Sequence, residues 1–104
     1  MRERRITPER PGAVARLIRD YRHSQRPRWT QLFLAQQITG AGFPTSRSGI
    51  AHLERARPNS YNAELLAAAA YVLGIPPDEV AEGLAQDFRV LYRTFTRQFP
   101  VRRA

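Results

Sequence analysis

Apolar residues in this chain recur at steps of three and four, and no segment alternates at period two for long enough to make a strand. Val14, Leu17, Ile18 and Tyr21 form one such stripe, and Val80, Leu84, Phe88, Leu91 and Phe95 form a longer one. That period is one face of a helix, so the expected fold class is all-α. Punctuation between the stripes divides the chain into five helices. Pro11 and Gly12 lead into the first, and Pro27 disfavours helix in the residues before it. Thr30 is positioned to cap a second helix through Ile38, after which Gly40, Gly42 and Pro44 mark a turn. Thr45 or Ser46 can cap a third, running to about Ala56. Ile50 and Leu53 would face inward there, with Arg47, Ser48, Gly49, Ala51, His52 and Arg55 outward. Asn62 caps a fourth, with Leu65, Leu66, Ala69, Ala70 and Leu73 facing the core and Gly74 at its C′ position. Pro76 or Pro77 opens a fifth, with Asp78 and Glu79 in its first turn, where the dipole favours acids. The apolar pattern of this helix continues to Phe99, and Pro100 ends it.

At 104 residues the chain has room for one domain and an extension. The reading divides it into a basic arm over 1–10, a domain over 11–86 and a helical extension over 87–104. Cysteine is absent and the histidines, His23 and His52, are far apart, so no metal site or other cofactor is expected. No apolar run approaches the roughly 20 residues of a membrane span. The basic N-terminus has no apolar run after it of the secretory type, so a cytoplasmic place is expected. The nine acids are scattered, with no carboxylate pair in apolar surroundings and no Ser/His/Asp pattern, so no enzyme is expected.

Charge points to a partner. All 17 basic residues are Arg, against nine acids, for a net +8. Residues 1–28 hold nine Arg and three acids; residues 61–87 hold five acids and no base; residues 88–104 hold five Arg and no acid. Arg forms bidentate bonds to phosphate and to guanine, and a polyanion is the first partner to consider.

The five helices, with a short second one, a glycine turn and a third of small and basic residues, resemble the phage-repressor and Cro-like helix-turn-helix family. Ile18-Arg19-Asp20-Tyr21-Arg22 looks like the end of that family's first helix. Trp29-Thr30-Gln31 with Leu34-Ala35 looks like its second. Ser46-Arg47-Ser48 with Ile50, Leu53, Glu54 and Arg55 looks like its recognition helix. Leu66, Ala70 and Leu73-Gly74-Ile75, with the Pro-Asp-Glu-Val that follows, look like the fourth helix and the start of the fifth. The links before the second and third helices are longer than the family's, and Ala56 stands where the family usually has Gly.

The resemblance implies a sequence-specific regulator of transcription, most simply a repressor, that binds double-stranded DNA as a homodimer and is found with the nucleoid. Base contacts are expected from Arg47, Ser48 and His52, since the third helix would enter the major groove. Phosphate contacts are expected from Gln31, Arg55 and Arg57, and from Arg2, Arg4 and Arg5 on the arm. The family pattern also implies an ion pair between Arg22 and Glu54. Leu84, Phe88, Leu91, Phe95 and Phe99 exceed what a small core can cover and are expected to form the dimer seam. Two other readings stand beside this one. One is an antitoxin or adaptor that offers the C-terminal helix to a different protein. The other is a weakly specific architectural DNA binder.

Overall fold

The computed structural model describes residues 10–99. It is all-α among those residues, with five helices: α1 (Ala13–Ser24), α2 (Gln31–Gly40), α3 (Arg47–Glu54), α4 (Ala63–Leu73) and α5 (Pro77–Gln98). No helix among them is long and apolar enough to cross a membrane.

Local chemistry sets most of these boundaries. The side chain of Thr30 accepts from Phe33 N, that of Ser46 from Gly49 N and that of Asn62 from Leu65 N, so three helices have the capping oxygen their first turn needs. The third cap is therefore Ser46 and not Thr45, and α3 ends at Glu54, two residues before Ala56. Gly74 closes α4 in the left-handed region at φ 73°, where a side chain would be strained. Val14, Ile18, Leu34, Ile38 and Ile50 are fully buried, and Leu53, Leu65, Leu66, Ala69 and Leu73 complete the core around them. The inward face of α4 is the one the spacing predicts.

α1 begins without a cap of its own, because Gly12 has no side chain to supply one. The oxygens come from α5 instead. Asp87 Oδ1 accepts from Ala13 N at 2.6 Å and Oδ2 from Val14 N at 3.3 Å. The Tyr61 hydroxyl donates to the same carboxylate and accepts from Ala15 N at 3.3 Å. Gly83 lets α1 and α5 approach: a Cβ there would stand 2.9 Å from Val14 Cγ2. A second tie joins the same helices, the Tyr21 hydroxyl donating to the Glu79 carboxylate at 2.8 Å.

These contacts set the rotation of α5. Its buried residues are Gly83 and Asp87, whereas Leu84, Phe88, Phe95 and Phe99 are exposed and Leu91 is half-buried. Tyr92, absent from the expected strip, is exposed beside them. α5 also runs unbroken through residues 86 and 87, so no break marks the expected boundary, and Asp87 packs with the domain. At 22 residues α5 is about 33 Å long, while the molecule measures 55 × 33 × 23 Å.

Candidate nucleic-acid interface

α3 separates its two chemistries by face. Ile50, Leu53 and Glu54 are buried; Arg47, Ser48, His52 and Arg55 are exposed. Ser48, His52 and Arg55 lie at steps of four and three, one face of the helix, and Arg47 adjoins Ser48 at the N-terminal end. Two expected outward positions differ. Gly49 is half-buried, with a Cβ there meeting Thr45 Oγ1 at 2.6 Å, so it faces the loop that leads into α3; Ala51 is half-buried as well. Arg57, in the loop after α3, is half-buried. Arg2, Arg4 and Arg5 lie outside the described residues.

What holds α3 in place is a buried polar junction with α1 and α2. Arg22 and Glu54 are 7% and 6% exposed. Arg22 Nε donates to Glu54 Oε2 at 2.6 Å and Nη2 to Oε1 at 2.9 Å, a bidentate pair. Arg22 Nη1 donates to the Trp29 carbonyl at 2.8 Å. Gln31 Nε2 donates to Glu54 Oε1 at 3.1 Å. The pair that the family pattern implies is thus brought together, but Gln31 is half-buried and shares in it. Glu54 holds its carboxamide, so phosphate, the role expected of this side chain, is left only its second N–H.

His23 adjoins this junction, with Nε2 3.0 Å from Arg22 Nη2. A guanidinium only donates, so the imidazole nitrogen accepts and the ring is neutral. Burial lowers the His23 pKa below the usual histidine value, and the cations of Arg22, Arg28 and Arg19 lower it further, against a weaker opposing pull from Glu54.

α2 runs two residues past the expected Ile38, so Gly40 ends the helix and does not lie in the turn, and the rest of the long connection to α3 is a loop over 41–46. It is bracketed by Thr39 Oγ1, which accepts from Thr45 N and donates to Thr45 O, both at 3.1 Å. Phe43 N donates to Ile38 O at 3.2 Å, and Phe43 packs on the core. Before α2, Trp29 is half-buried against the core and meets Phe33 edge to face at 4.9 Å between ring centroids. Leu32 and Phe33 are themselves exposed, at the outer side of α2.

The spacing of residues showed the exposed face of α3, but not the Thr39–Thr45 bracket or the Asp87–Tyr61 cluster, whose partners are separated by loops or by much of the chain. Asp87 gave one signal: it is an acid far from a helix start, on the side of α5 where Gly83 also lies. Among the described residues no group of three or more His, Cys, Asp or Glu is placed to hold a metal. No family model matches the chain, and no curated protein or solved structure matches it.

Proposed function

We propose that this chain is a sequence-specific regulator of transcription that binds double-stranded DNA as a homodimer, with α3 entering the major groove. The observation that carries this reading is the outer face of α3. Arg47, Ser48 and His52 stand exposed on it, while the buried Arg22–Glu54 pair and the Ser46 cap fix the helix beneath them. Base readout requires side chains of this kind, a bidentate donor beside short hydrogen-bonding groups, on an element that does not yield. Arg55 and Arg57 follow α3, and in this reading they contact phosphate. Lying with the nucleoid follows from the same reading.

The strip of exposed aromatic residues on α5 favours a second reading beside the first. It fits an adaptor or antitoxin whose long helix covers another protein, and such a chain can still bind DNA through α3.

The test is a pair of substitutions on an operator selected from random duplexes. Arg47→Ala is expected to cost about 1–3 kcal/mol on that operator and to relax the choice at one base pair. Arg57→Ala weakens operator and random duplex alike. Equal losses on both duplexes for Arg47→Ala would contradict its role in reading bases.

A further inference from the structure

α5 carries one apolar strip along its whole length, and the two halves of that strip differ. The first half, with Pro77, Val80, Ala81 and Leu84, forms one wall of a groove of about 580 Å³ whose other wall is α4. Ala67 and Ala70 keep the α4 wall low, and Tyr71 rises at its edge, 82% exposed. The second half projects Phe88, Tyr92 and Phe95, which are 65, 55 and 48% exposed. These aromatic faces are exposed side by side, an apolar patch of the kind a partner surface covers.

The apolar groove of a second copy is a surface that matches it. The segment that builds the groove, residues 61–87, holds five acids and no base, and residues 88–104 hold five Arg and no acid. Glu64 continues the α4 wall in line with Ala67 and Tyr71, at steps of three and four, and Asp78 lies beside Pro77; both are exposed. Arg89, Arg93 and Arg97 are exposed on the side of α5 away from this strip, and Arg89 lies 3.6 Å from Glu82 of its own helix. One chain cannot seat its own second half of the strip in the groove, because α5 is continuous and its end points away from the groove its own first turns build. A second copy can, and a two-fold arrangement makes the contact twice and closes it.

We infer that in the dimer the stretch 88–99 of each α5 lies in the α4–α5 groove of the other copy, with Phe88, Tyr92 and Phe95 against its floor. This rests on the dimer proposed above and names the surfaces that build it. Covering Phe88, Tyr92, Phe95, Tyr71 and Leu84 removes roughly 500 Å² per copy, taking about 150–250 Å² for a whole aromatic side chain. That is most of the ~800 Å² per partner in a standard interface.

Sedimentation equilibrium of the full chain at micromolar concentration, with Tyr71→Arg and Phe95→Asp, tests it. Both positions are exposed, so the fold of each copy survives, as an unchanged thermal melt monitored by circular dichroism checks. The full chain is expected to be a dimer, and each variant alone to dissociate at least tenfold more readily. A one-to-one mixture of the two is expected to recover the dimer. One of its contacts joins an intact groove to an intact strip, and the other sets the introduced charges of opposite sign together. If Tyr71→Arg dimerises as well as the parent while Phe95→Asp does not, the dimer stands and the groove has no part in it, which overturns the inference. A mixture that stays monomeric overturns it as well. A full chain that sediments as a monomer overturns both the inference and the dimer on which it rests.

Discussion

A carboxylate buried in a small helical domain is stable only where donors meet its oxygens, and Asp87 meets two backbone N–H groups at the start of α1 and the Tyr61 hydroxyl. Asp87→Asn keeps the shape and removes the charge from those bonds, and is expected to cost about 2–3 kcal/mol in chemical denaturation. Tyr61→Phe removes one hydroxyl and is expected to cost about 1 kcal/mol. Burial raises the Tyr61 pKa well above the ordinary tyrosine value, and the hydrogen bond to Asp87 raises it further. The folded chain therefore keeps this phenol protonated where an unfolded one ionises, near about pH 10. That contribution is whole below about pH 10 and is lost as the pH rises beyond it. A melting temperature that falls with alkali in the parent and falls less in Tyr61→Phe is the expected result. At the other junction, removing one partner of a buried pair strands the other charge, so Glu54→Gln is expected to cost about 3 kcal/mol or more. A double-mutant cycle with Arg22→Met measures the coupling, and simple additivity would contradict it.

Among the elements, α5 has two different sides. Gly83 and Asp87 dock it on α1, and the strip through Phe88 and Phe95 is exposed. Deleting residues 88–104 leaves Asp87 and the domain's core in place, so the shortened chain is expected to fold, to be monomeric and to bind an operator much more weakly. Circular dichroism and sedimentation on one preparation check this; loss of helix beyond the deleted turns would contradict it. The α4 face and the outward Arg47, Ser48 and His52 were legible in the sequence, because steps of three and four report directly which side of a helix is apolar. The docking side of α5 was not. Its contacts with α1 are a glycine and an acid, residues that carry no apolar signal, and of the apolar strip that does carry one Val80 packs on the core while Phe88 and Phe95 are exposed. The half-buried Gly49 was hidden for a like reason: a missing side chain gives no sign of the neighbour it makes room for. The pairing of Gln31 with Glu54 spans a loop and a helix, and only the fold brings the two together.

At the scale of the whole molecule, the proposed DNA complex draws on the net charge of +8 and its placement. If each protomer meets roughly 4–6 phosphates, log K is expected to fall against log salt with a slope of about −4 to −5 per protomer. A slope near zero would remove phosphate from the interface. A two-fold dimer spaces its two α3 helices by about 34 Å, one turn of DNA, when both enter the same face of the duplex, so the selected operator is expected to be a pseudo-palindrome. Attraction to phosphate alone gives none of that symmetry and no preference for sequence. The most direct measurement is therefore a competition at fixed physiological salt between duplexes selected from a random pool and unselected duplex of equal length. The account predicts a preference of about 10³-fold or more for the selected sequence, and equal competition by the two duplexes would contradict it.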